Sequence, residues 1–237
     1  MDRFETSQTA SLGAISDAAA RVTAFLRVVY GWMAVGLTVT AMVAWVVAGS
    51  DSLVYAIASN RLLFWGIFAA QLGVVIFLSA RVHKLAPGTA AALFLGYSAL
   101  TGLTMAFVLR VYTGESVATT FFVTAGTFGA LALYGTVTSR SLSGLGQFLF
   151  MGLIGIVLAS VVGIFWQNSG LQFVISFCGV ILFTLLTAYD AQRLKAMALD
   201  LPEGKAGSYA IVGALRLYLD FINLFLFLLR FLGGRRD

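Results

Sequence analysis

Two aspartates stand where a charge is expensive. Asp190 lies in the apolar run 171–191 and Asp220 in the run 208–229, and no other of the ten acidic residues falls inside such a run. An ionised Asp at the centre of a membrane helix costs about 2.5–3.5 kcal/mol on insertion scales. The two runs are consecutive, so their helices are antiparallel neighbours. Carboxylates held close together cannot both ionise cheaply and tend to share a proton, which makes such a pair a candidate proton-sensitive latch. Arg81, at the inner end of the second run, is the cation expected to compete for the pair. A purely structural alternative stands beside this reading. Arg216 precedes Asp220 by four residues on the same helical face and could neutralise it, and Asp190 could reach the interface near Arg193. Ionisable groups inside a membrane are functional by default. Asn223, one turn beyond Asp220, is placed to bond across helices or to the second carboxylate. Glu115, in the turn Tyr112-Thr113-Gly114-Glu115-Ser116, either gathers cations at the outer mouth or serves only the turn.

Other chemistries lack their parts. Cys178 is the only cysteine, which rules out an intrachain disulfide and a thiolate metal cage, and it reads as a small packing residue. The only histidine, His83, reads as a solvated loop residue beside Lys84, so Ser143 has no intramembrane base. There is no HExxH and no Walker loop. An intramembrane aspartyl protease is the strongest enzyme rival, since it too needs two aspartates on adjacent spans. Of its expected Tyr-Asp and Gly-X-Gly-Asp motifs only Tyr189-Asp190 is present, for Leu219 precedes Asp220. A retinal photoreceptor would need a lysine in the last span, which has none. No enzyme activity and no tightly bound cofactor are expected.

The elements that position these residues follow from composition. The 237 residues are 60% hydrophobic and only 11% charged. The mean hydropathy is +0.95. A soluble globule carries about 25% charged residues, so the soluble and disordered classes drop out. The net charge of +5 comes from basic residues scattered singly between apolar runs, which suits membrane topology better than nucleic acid. Spans are expected at 24–49, 62–80, 88–109, 117–138, 146–166, 171–191 and 208–229, each close to the roughly 20 residues that cross a bilayer. Residues 1–23 read as a cytosolic arm and 24–237 as the transmembrane domain. Pro87 and Pro202 fall in loops, and the longest internal loop is expected at 192–207. Glycine stripes at 152, 155 and 163 (with Ala159) and at 126 and 129 (with Ala130) read as helix-packing surfaces.

Orientation follows from lysine and arginine. With the amino terminus inside, Arg3, Arg21, Arg81, Lys84, Arg140, Arg193, Lys195 and Lys205 lie inside, and the outer loops hold Arg61 and Arg110. The tail, with Arg230, Arg235 and Arg236, breaks this pattern if there are seven spans and satisfies it if the last segment is re-entrant. Trp45, Trp65 and Trp166 fall at span ends on the outer side, as an aromatic belt.

The runs Ala188-Tyr189-Asp190-Ala191-Gln192 and Leu217-Tyr218-Leu219-Asp220-Phe221-Ile222-Asn223-Leu224-Phe225-Leu226, the Tyr112–Ser116 turn and segment 121–135 together resemble the Bax inhibitor-1 family, in the bacterial branch of the transmembrane Bax inhibitor motif proteins. The resemblance covers nearly the whole chain from Ala24 and implies an all-α bundle of seven transmembrane helices, the last one central. It implies a pH-sensitive calcium leak of the bacterial inner membrane, with Asp190 and Asp220 as the paired aspartates and Arg81 as the arginine that engages them. Calcium would pass with brief binding at the two carboxylates. Some bacterial relatives are instead similar to a modulator of a membrane-bound AAA protease, and eukaryotic relatives suppress cell death, so a non-transporting regulator is the alternative. Arg216 departs from the family pattern, where a small or polar residue is expected; pairing with Asp220 would weaken or shift the latch.

Overall fold

The computed structural model describes residues 2–81, 84–166, 168–201 and 204–236, with the backbone alone for 2–15. His83 and Pro202 lie outside the described residues. Eight α-helices follow one another: α1 (Asp2–Ala48), α2 (Asp51–Ser59), α3 (Arg61–Arg81), α4 (Pro87–Val111), α5 (Gly114–Val137), α6 (Gly146–Phe165), α7 (Ser169–Asp200) and α8 (Ala206–Leu232). All but α2 are long and apolar enough to cross a bilayer. The protein is thus an all-α integral membrane bundle with seven spans.

The last helix is the centre of the bundle. In the most apolar stretch of α8, 67% of residues are buried, against at most 39% in any other span. It packs on α1, α4, α5 and α7, whereas α3 leans on α4 and α6 on α7. Sequence explains the placement. Ala210, Gly213 and Ala214 let neighbours approach at one end, and Leu217, Leu224 and Leu229 fill the core toward the other. The outer faces of α3 and α6 carry Trp65, Leu72, Phe148 and Phe150, all exposed to the lipid.

Four boundaries differ from the expected spans, the first being that α1 runs unbroken from Asp2 into the span expected to begin at 24. A hydropathy run ends where polarity begins, but a helix need not. Helix α7 continues nine residues past Ala191, because Ala191, Leu194 and Ala198 keep one face buried while Gln192, Arg193 and Lys195 face the other way. Only residues 201–205 therefore join α7 to α8. The connection after α1 holds the short helix α2, capped by Ser50 and held by Asp51, which meets Arg110 of α4 at 2.7 Å. Pro87 is the first residue of α4 rather than a loop residue, a position where its missing N–H costs nothing.

The carboxyl tail settles the last span. Gly234 accepts from the Thr113 amide at 3.2 Å and donates its own to the Ser116 hydroxyl at 2.9 Å, and the Arg236 amide donates to Val111 at 2.9 Å. The tail is therefore sewn to the α4–α5 turn, and α8 crosses completely instead of re-entering. Exposed Trp45, Trp65 and Trp166 mark that same end of the bundle. Counting the tail there leaves five basic residues at this end against eight at the other.

The glycine stripes divide. Gly152 and Gly163 touch α7 through Leu182 and Gln172, but Gly126, Gly129 and Gly155 have open space beside them. The tight contact on α5 is Gly135, where a Cβ would collide with the Ala188 carbonyl of α7. Gly135→Ala is expected to destabilise the bundle by about 1–3 kcal/mol through overpacking. Gly126→Ala is expected to be neutral or to stabilise by up to about 1 kcal/mol through helix propensity. Thermal unfolding in micelles distinguishes the two; equal melting temperatures would contradict the α5–α7 contact.

Candidate functional site

The site is built where α7 and α8 cross. Helix α7 is capped by Asn168, whose side chain accepts from the Leu171 amide at 3.1 Å, and brings Asp190 to the crossing from one side. Asp220, near the middle of α8, arrives from the other. Both are buried, with 6% and 5% of their surface exposed, and the two carboxyls are close enough to interact across the crossing. Arg216 completes the cluster by crossing between the helices. Its Nη1 lies 3.4 Å from Asp190 Oδ1, so the nearest cation on α8 pairs with the acid of the neighbouring helix rather than with the acid four residues along its own. Arg193 adds a weaker positive field at Asp190. Asp220 Oδ2 is buried with no donor.

These groups define a charge balance. Two ionised carboxylates against one guanidinium leave a net negative charge in the membrane interior and an acceptor without a partner. One proton between the carboxyls would remove both costs. The cluster is therefore chemically equipped to hold or release a proton at the joint between the last two helices.

The rotation of α8 is fixed from its opposite side. Tyr218, two residues and roughly 200° around the helix from Asp220, packs edge-on against Phe94 and Tyr97 of α4. The Thr40 hydroxyl donates to the Ser98 carbonyl at 2.8 Å, so its 2.6 Å contact with Tyr218 has the tyrosine as donor. Phe221 packs between Phe121 and Phe128 of α5, with ring centres at 5.6 and 5.5 Å. Any rotation that moved Asp220 away from α7 would break these contacts.

The residues around Asp190 do separate work. Tyr189 lies against Gly146 at the start of α6, where a Cβ would require the tyrosine ring to shift. Gln192 donates to the Arg140 carbonyl at 2.8 Å and accepts from the Leu142 amide at 2.7 Å, clamping the α5–α6 connection. Lys195 donates to the Thr136 carbonyl at 2.7 Å and so caps the end of α5. Neither Gln192 nor Lys195 stands out in the sequence as a site residue; the only available signal is their place within about one and a half turns after Asp190 on the same helix.

Other sequence candidates lie elsewhere. Arg81 is exposed at the end of α3 with its guanidinium over Phe77 at 5.8 Å. That helix packs on α4, and the nearby link from Ser208 to the Leu85 carbonyl meets α8 about 18 Å along the helix from Asp220. The structure therefore does not bring Arg81 to the pair. Asn223 donates to the Leu219 carbonyl of its own helix at 2.8 Å, not to a carboxylate. Glu115 is exposed in the first turn of α5. Cys178 is exposed on the outer face of α7 rather than packed in the core.

A family model described as inhibitor of apoptosis-promoting Bax1 matches residues 22–237. The chain is 48% identical to the inner membrane protein YbhL of Escherichia coli (strain K12) over 239 residues, covering all of both chains. It is 44% identical to an uncharacterized protein of Borreliella burgdorferi, over 90% of this chain and 93% of that one. A relative from Deinococcus radiodurans is also 44% identical, over 92% and 93% respectively.

Gln192→Ala is expected to free the α5–α6 connection without disturbing the acid pair. Trypsin should then cut after Arg140 several-fold faster than in the parent protein. An unchanged cutting rate would show that the Gln192 clamp does not hold that connection.

Proposed function

The chain belongs to the Bax inhibitor-1 family, and on that premise we propose that it is a passive, proton-controlled calcium leak of the bacterial cytoplasmic membrane, with its amino terminus in the cytosol. The excess of basic residues at the end opposite the tail supports that orientation. The observation that carries the reading is the buried meeting of Asp190 and Asp220 beside a single guanidinium. A pair from the last two spans, one of them the central helix, joins the two elements whose separation would open a path through the bundle.

The sign of the pH response follows from the charges. In the latched state one proton joins the carboxyls and the charge left on Asp190 meets Arg216. A second proton, added as the pH falls, removes that charge and leaves the guanidinium unmatched. The link between α7 and α8 then weakens and leak rises with acid. Calcium takes six to eight oxygen ligands, and two carboxylates with nearby backbone and hydroxyl oxygens suit brief binding in passage rather than storage.

The test is calcium flux into liposomes as a function of pH. Asp190→Asn cannot pair with Arg216, so its flux should be high at neutral pH and nearly independent of acid. Asp220→Asn offers an amide donor in place of the shared proton, so Asp190 stays paired and the rise in flux should move to lower pH. The same flux and the same pH profile in both variants as in the parent would overturn the proposal.

A further inference from the structure

Beyond the acid pair, the tail-bearing end carries arginines that the leak does not use. Arg230, in the last turn of α8, and Arg235, in the tail, line one cavity of about 500 Å³ together with Gln172 and Ser169 of α7 and Tyr112. A second cavity of about 340 Å³ shares Arg230, Arg235, Gln172 and Ser169 and adds Phe173 and Phe231. Among the described residues no carboxylate lines either space. Among the described residues neither arginine has an acidic partner, although Arg110 at the same end is matched by Asp51 and Arg216 by Asp190. Among the described residues Arg230 has a 3.4 Å contact with the Gln172 side-chain oxygen and the face of Phe227 beneath it.

The surroundings indicate what would match that charge. Phe173, Phe177 and Phe231 form an exposed aromatic shelf on the outer surface of α7 and α8, with ring centres 5.4–6.5 Å apart. Trp166, 69% exposed at the end of α6, places the shelf and the arginines at the boundary between hydrocarbon and headgroups. A soluble anion would satisfy the guanidiniums but leave the shelf unused. A molecule with an anionic phosphate at one end and an acyl chain at the other fits both, because guanidinium binds phosphate oxygens through paired N–H donors.

We propose that Arg230, Arg235 and Gln172 form a binding site for the phosphate of an anionic phospholipid whose acyl chain lies across Phe173, Phe177 and Phe231. The site stands apart from the acid pair and does not depend on which ion the protein passes.

Native mass spectrometry of the full chain in micelles, titrated with phosphatidylglycerol, phosphatidylcholine or inorganic phosphate, tests it. Phosphatidylglycerol should be retained in preference to phosphatidylcholine. Arg230→Gln and Arg235→Gln should each weaken its binding about fivefold, and the double variant about twenty-fivefold. Arg140→Gln, a charge loss at the opposite end, should leave binding unchanged. If the double glutamine variant does not fold, Arg230→Lys/Arg235→Lys takes its place, and weaker retention of phosphatidylglycerol than in the parent protein is expected because the forked donors are gone. Equal retention of the two lipids, or unaltered binding in the arginine variants, would overturn the site. Displacement of phosphatidylglycerol by an equal concentration of inorganic phosphate would assign the arginines to a free anion and overturn the lipid.

Discussion

Two buried acids and one half-buried arginine meet where the last two helices cross. Each ionised carboxylate in a membrane helix costs a few kcal/mol, and two in contact cost more than their separate sum. Arg216 can offset one of them, and it meets Asp190. The other, Asp220, keeps a buried oxygen without a protein donor. This imbalance is the constraint around which the last two helices are arranged, since it can be relieved only by a proton or by moving the helices apart.

The rest of the bundle holds that imbalance in place. Tyr218 and Phe221 key α8 against α4 and α5 so that Asp220 faces α7. On the other side of the joint, Gly135 admits the backbone of α7 at Ala188, and Gln192 and Lys195 fasten the same helix to the end of α5 and the connection beyond it. Helix α7 is thus anchored along its polar end, while α8 is anchored at its far end by the tail sewn to the α4–α5 turn. Between these two anchors the crossing of α7 and α8 holds the two buried acids and the Arg216–Asp190 ion pair.

Much of this is legible in the sequence, for particular reasons. Seven spans stand out because lipid demands long apolar runs, and the two aspartates stand out because lipid makes them rare. The adjacency of the last two spans follows from their being consecutive, although the connection between them is much shorter than the loop expected at 192–207. What the sequence does not carry is which side chain crosses between helices. A spacing of four puts Arg216 over Asp220 on one helix, and only the packing of α7 against α8 shows that it reaches Asp190 instead. Arg81 is conspicuous as a basic residue at a span end, but the position of α3 at the rim leaves it over Phe77. Helix α7 runs past its hydropathy boundary because one buried face is enough to sustain a helix outside the lipid. The attachment of the tail is made almost wholly by backbone groups of Gly234 and Arg236, and such contacts leave no pattern in residue type.

The central claim is that Asp190 and Asp220 together hold one proton while the bundle is closed, with Arg216 balancing the remaining charge. Infrared difference spectroscopy of the reconstituted protein, with each aspartate replaced in turn by asparagine, reads the protonated carboxyl directly. The account predicts one protonated carboxyl band at neutral pH that either substitution abolishes or displaces, and a second band as the sample is acidified. A neutral-pH spectrum in which both side chains are ionised, unchanged by either substitution, would contradict it.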